Sequence, residues 1–161
     1  MICQNPNLIV IRNSTIGQNT EIREFCTIND STLGSACLIS ERVSIKKCFL
    51  EDAVEVNAGS YLEKCNVSSR VMIAPNCSIV GVTHEFSQQG VSNIDVFNEI
   101  TIQHGVWIGA GCIILHGVTI GPCSVIGAGS IVNKNIPPFH IYLGTPSNFR
   151  LEKLKDWRNR A

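Results

Sequence analysis

Aliphatic residues recur along this chain at a spacing that belongs to neither an amphipathic helix nor a lone strand. In order they are Ile16, Ile22, Ile28, Leu33, Ile39, Ile45, Leu50, Val56, Leu62, Val67, Ile73 and Ile79, in steps of six, six and five. After an interruption, strict sixes resume at Ile102, Ile108, Ile114, Ile120, Ile126 and Val132. A helix needs apolar spacings of three and four, and this region lacks them. Four residues after most rungs stands a small or β-branched residue, such as Thr20, Cys26, Thr32, Cys37, Val43, Cys77, Cys112 and Ser130, with Phe49 and Asn66 as exceptions. Residues two apart on a strand share a face, so wide rungs and narrow residues alternate toward an interior. Glycine follows the rung at Gly17, Gly34, Gly109, Gly121 and Gly127, where a chain that bends this often gains from lacking a Cβ.

Three short strands per coil, stacked at about 4.8 Å, predict a triangular all-β solenoid of about six coils between Ile16 and Pro137. Periodicity does not fix its hand. The domain reading is a β-helix over residues 1–146, with a protruding loop over 80–101, followed by a short helix over 147–161. Ser147 is a fair cap for that helix, and Leu151, Leu154 and Trp157 make its stripe. The helix is expected to cover the last coil, and the LIVI run near the N-terminus to block the first.

Between Val80 and Asn98 the rhythm vanishes, leaving GVTHEFSQQGVSNIDVF. A long aperiodic insertion in a regular solenoid is usually functional, because the scaffold gains no packing from it. It leaves where the upstream coils are one residue short, and it opens on His84.

Charge alters the picture little. Lys plus Arg and Asp plus Glu balance at 13 each, which argues against a nucleic-acid or membrane-surface footprint. No run approaches a membrane span and the N-terminus does not read as a signal peptide, so a cytoplasmic protein is expected. Eight cysteines without a C-x-x-C pair read as reduced packing residues. Of these, Cys26, Cys37, Cys77 and Cys112 fall on inward positions, while Cys48, Cys65 and Cys123 fall in turns or at strand edges.

The repeats fit [LIV]-G-x-x-[STAV]-x, and VWIGAGCIILHGVTIGPCSVIGAGSIVNKNIPP resembles the signature of hexapeptide-repeat acyltransferases, in the branch of galactoside, maltose and O-antigen O-acetyltransferases. The resemblance spans almost the whole chain and is strongest from Val71 onward. It implies a left-handed parallel β-helix, a homotrimer and acetyl transfer from acetyl-CoA, with no metal. His84 falls on the catalytic histidine, the side chain whose ordinary pKa suits a general base near neutrality. Glu85 would orient the ring or be solvated. Carried over by motif, Ala110 and Ala128 flank the pantetheine arm, Trp107 closes the acetyl end, and Asn133 and Lys134 approach the pyrophosphate and ribose. Asn148 stands where relatives carry a basic residue, which moves the phosphate contact to Arg150 or Lys153. Glu55, Asn57 and Glu63 fall where acceptor sugars are held. Relatives also carry a helical N-terminal segment that is missing here, which implies a more open pocket and a larger or polymer-linked glycan, as in polysaccharide biosynthesis.

Other readings remain at this level. An N-acetyltransferase of an amino or nucleotide-linked sugar would use the same base. A γ-carbonic-anhydrase-like enzyme needs closely paired histidines, whereas His104 and His116 stand twelve apart. A non-catalytic solenoid should show threonine arrays and no long insertion. His104, His116 and His140 read as turn or structural residues, with His104 placed to line the cleft.

Overall fold

The computed structural model describes residues 2, 3 and 5–155. Three parallel sheets wrap a common axis. Face one has seven strands from Val10–Arg12 to Ile131–Val132, and face two has six from Thr15–Ile16 to Thr119–Ile120. Face three has eight, from Glu21–Ile22 through His140–Thr145 to Asn148–Lys153, the last antiparallel. The solenoid is therefore longer than the predicted six coils, gaining Val10–Arg12 before Ile16 and His140–Thr145 after Pro137. Rung stacks on rung from coil to coil: Ile28 lies on Ile45, Leu33 on Leu50, Ile39 on Val56, and Ile73 on Ile108. Rungs from Ile22 to Val132 are buried in one continuous core.

The inward narrow residue departs from expectation at each five-residue step. Ser31, Cys48 and Cys65 are buried there, not Thr32, Phe49 and Asn66. A step shortened by one moves the inward position from four to three residues after the rung, because it must stay two before the next. This accounts for both exceptions in the sequence pattern and brings Cys48 and Cys65 into the core. The corner is turned by Asp30, Lys47 and Lys64 at φ of 50°, 52° and 55°, a left-handed conformation that costs a non-glycine residue about 1–2 kcal/mol. Inward hydroxyls bond to the neighbouring coils: Thr20 Oγ1 donates to the Gly34 carbonyl at 2.7 Å and accepts from the Cys37 amide at 3.1 Å. All eight cysteines are free, and six are buried.

Two predicted elements take another form. The insertion is an antiparallel hairpin, Val82–Ser87 with Gly90–Phe97. Its signal was the period-two pattern on both sides of Gln88-Gln89-Gly90, which a search for six-residue steps passes over. Residues 148–153 form a strand where a helix is predicted. Pairing with His140–Thr145 satisfies that strand's exposed edge, and this outweighs a weak helical stripe. Leu154 and Lys155 begin a helical turn, and Trp157 lies outside the described residues. No helix among the described residues is long and apolar enough to cross a membrane.

The glycines after the rungs serve stacking rather than bending. A Cβ on Gly109 would stand 2.6 Å from the Ala128 amide nitrogen and 2.9 Å from its Cα, both backbone atoms of the next coil. Gly109→Ala should therefore force two coils apart. The expected loss is about 1–3 kcal/mol by urea denaturation, and a change within about 0.5 kcal/mol would show that the spacing yields.

Candidate active site

The hairpin leaves the vertex between faces one and two and is anchored where it leaves. The Gly81 amide donates to the Glu63 carbonyl at 2.8 Å, and the Asn98 amide donates to the Gly81 carbonyl at 2.9 Å. The Ile100 amide then rejoins the sheet at the Lys64 carbonyl. Beyond this clamp, Val82 pairs with Phe97, Thr83 with Val96, and His84 with Asp95. Irregular pairing follows between His84 and Phe86.

Register thus sets Asp95 across from the imidazole, the place that one of the two readings gave to Glu85. His84 Nδ1 lies 3.4 Å from Asp95 Oδ1, with both side chains about half exposed (52% each). That is longer than a tight charge-assisted bond. With Nδ1 turned to the carboxylate, Nε2 is the nitrogen left to take a proton. Glu85 is exposed on the same strand. Asp95 was missed because only pairing across the arm brings residue 95 to residue 84.

Beneath the hairpin lies a compact ionic group. Lys46 Nζ sits 2.7 Å from Glu63 Oε1, and the Tyr61 hydroxyl donates to Glu63 Oε2. Glu63 was expected where the acceptor sugar is held, yet its side chain is only 11% exposed and both its oxygens are engaged. Burial pushes its pKa up, but bonding to Lys46 and Tyr61 outweighs burial and leaves it below the ordinary value. Lys46 is raised by its bond to Glu63, with a smaller contribution from Asp95. Tyr61 is raised by burial and by Glu63.

The remaining predicted residues fall into two groups. On face three, Glu55, Met72 and Trp107 stack outward in one column, with Trp107 about half exposed. At the following vertex, Asn57 donates to the Ile73 carbonyl at 3.0 Å, while Ala110 and Ala128 are exposed on successive coils, joined by the Gly129 amide bonding to the Ala110 carbonyl at 2.8 Å. Face three is the side of the triangle opposite the vertex that carries His84, so a single chain does not bring Trp107 to the imidazole. Asn133 and Lys134 lie on the hairpin's own vertex, in the final coil. There Lys134 Nζ stands 3.4 Å over the Phe149 ring, which stacks on Tyr142, and Arg150 is exposed beside it. His104 Nδ1 meets Ser69 Oγ at 3.0 Å, and His140 Nδ1 meets the Pro138 carbonyl at 2.7 Å. Among the described residues no three His, Cys, Asp or Glu side chains group as a metal site.

Coils, register and repeat together define a parallel β-helix built on a six-residue repeat. Residues 99–134 match the bacterial transferase hexapeptide (six repeats) family. Galactoside O-acetyltransferases of Lactococcus lactis and Escherichia coli are 44% and 43% identical over 81 residues, half of this chain. The chain spans only about 40% of the length of those relatives. A solved maltose O-acetyltransferase from Clostridium difficile superimposes with a TM-score of 0.57 at 27% identity, covering 92% of this chain and 71% of that one. The N-acyltransferase AntD of Bacillus cereus shares the fold at a TM-score of 0.67 and 21% identity, covering 95% of this chain and 83% of its own. The architecture is that of the left-handed parallel β-helix, and the chain resembles the hexapeptide-repeat acyltransferases of the galactoside and maltose type.

A carboxylate whose folded pKa is depressed contributes stability above its unfolded pKa and loses it as the pH falls through the folded value. Stability should therefore decline as the pH drops below about 4.5, the ordinary value for Glu63. In Glu63→Gln that part of the acid decline should disappear, as followed by thermal melts across the range. An unchanged acid limb would mean the Lys46 pair contributes nothing.

Proposed function

We propose that this protein is an acetyl-CoA-dependent O-acetyltransferase acting on a hydroxyl of a sugar or glycan, with His84 as general base. The observation that carries the reading is His84 facing Asp95 on a hairpin that interrupts a repeat scaffold similar to sugar O-acetyltransferases. His84 Nε2 takes the acceptor hydroxyl proton as that oxygen attacks the thioester carbonyl. A C–O bond forms and the carbonyl becomes a tetrahedral oxyanion. The oxyanion collapses, the C–S bond breaks, and the imidazolium returns its proton to the departing thiolate. Asp95 holds the ring in the tautomer this needs and offsets the positive charge it carries in between.

Acetyl-CoA enters as a co-substrate. Ala110 and Ala128 offer a strip without side-chain bulk beside the backbone of two coils, suited to a pantetheine arm. Trp107 closes that strip on face three. Asn133, Lys134 and Arg150 supply the polar and cationic groups for the phosphate end. Because Trp107 and the alanine strip lie away from the hairpin vertex, a complete site takes the hairpin of one copy and face three of another, and a homotrimer supplies this by closed symmetry. Glu55 is the acceptor-side carboxylate left open. Glu63 acts there through Lys46 as a support of the hairpin base. A donor drawn from the acetyl-CoA pool fits a cytoplasmic site of action.

The test is release of free CoA thiol with a panel of sugars, oligosaccharides and amino sugars. A hydroxyl acceptor is expected, and turnover confined to amino sugars would move the reading to N-acetyl transfer. His84→Ala should lower kcat by about 10²–10⁴-fold with the melting curve unchanged. Full turnover in that variant would remove the base. Asp95→Asn should lower kcat by at least about tenfold with little change in KM. Light scattering should give the mass of three chains, and a fully active monomer would refute the shared site.

A further inference from the structure

The foot of the hairpin and face two border an open groove of about 540 Å³ that the proposed chemistry does not use. Its floor carries Phe49, about half exposed, in an outward column whose other members are Thr15, Thr32, Asn66, Thr101 and Thr119. Its wall carries Phe97, also about half exposed, with Lys47 Nζ 4.4 Å from the ring centroid. In the same lining, Glu99 accepts from Asn66 Nδ2 and pairs with Lys64 Nζ at 3.0 Å.

Three features specify the occupant. Two phenyl rings in one groove, edged by an amide and a carboxylate, suit a ring with an apolar C–H face and hydroxyls at its rim. Charges within the groove balance, Lys47 and Lys64 against Asp30 and Glu99, so no net field favours a phosphate, a uronic acid or a cation. The groove also shares a face of the arm with the base, through Phe97. Period two and cross-strand pairing put Phe97, Val82, Asp95 and His84 on one face of the arm, with Phe97 two residues, roughly 7 Å, from Asp95.

We propose that this groove binds the acceptor: it holds a neutral sugar residue of an oligosaccharide, adjoining the unit whose hydroxyl meets His84. The inference rests on the glycan-acetylation reading above and adds to it where the chain of sugars lies and that it is uncharged.

The test separates binding from transfer. The His84→Ala protein is applied to an array of neutral gluco-, galacto- and manno-oligosaccharides of one to six units, alongside phosphorylated and uronic-acid oligosaccharides. Retention of neutral oligosaccharides of two or more units is expected. Phe49→Ala added to His84→Ala should weaken it at least about tenfold, while Phe49→Tyr, which keeps the ring, should preserve it. Retention of charged glycans only, no retention of any, or retention indifferent to Phe49→Ala would overturn the proposal. So would a change of oligomeric mass on Phe49→Ala, which would mean that a second copy covers the groove. Neutral glycan binding with no acetyl transfer by the wild-type protein would instead leave the groove standing and remove the reading of His84.

Discussion

Each coil satisfies its backbone through its neighbours, and this constraint governs everything else in the molecule. The Tyr61 amide bonds to the Cys77 carbonyl, Ser78 to Cys112, Met72 to Val106 and Trp107 to Ser124, all at 2.9–3.0 Å. Such a ladder tolerates no slip along a face, because one residue of shift would turn every buried rung outward. Extra or missing residues are therefore confined to the vertices. The shortened step at Asp30, Lys47 and Lys64 obeys this rule, and so does the hairpin, which enters and leaves at the same vertex.

That confinement gives the hairpin a rigid base. Gly81 lies too close to the Glu63 and Lys64 carbonyls to carry a side chain. Asn98 packs over Gly117 of the next coil, whose amide bonds to the Asn98 carbonyl at 2.8 Å. Glu99, Lys64 and Asn66 tie the return strand to face two. His84 and Asp95 form the third pair beyond this clamp, near enough to inherit its order. The Lys46, Glu63 and Tyr61 group lies just below, where a buried carboxylate is tolerated because its two oxygens have partners.

The core shows the same economy in its cysteines. A thiol is small, apolar enough to stack, and still able to bond weakly to a carbonyl, as Cys26 does to Ser40 at 2.9 Å and Cys112 to Gly127 at 3.1 Å. Serine and threonine fill the same inward corner positions with stronger bonds. Corner geometry, more than redox chemistry, accounts for so many cysteines in one chain.

Much of this was written in the spacing of single residues. Ile28, Leu33 and Ile39 announce a three-sided coil, and the lapse after Val80 marks the insertion with His84 at its start, because period and its loss are local properties of a chain. Other features were not local. Ser31, Cys48 and Cys65 become the inward residues only once a closed coil forces the shortened corner to keep its rungs aligned. Residues 148–153 become a strand only when the edge of His140–Thr145 stands beside them. Asp95 meets His84, and Phe97 meets the face that carries Phe49, only through antiparallel return of the arm. The sequence by itself determined a periodic β-solenoid and the place where it is interrupted. Tertiary structure decided which groups face one another across that interruption, because contacts between distant residues depend on register and closure, and neither is encoded in any one segment.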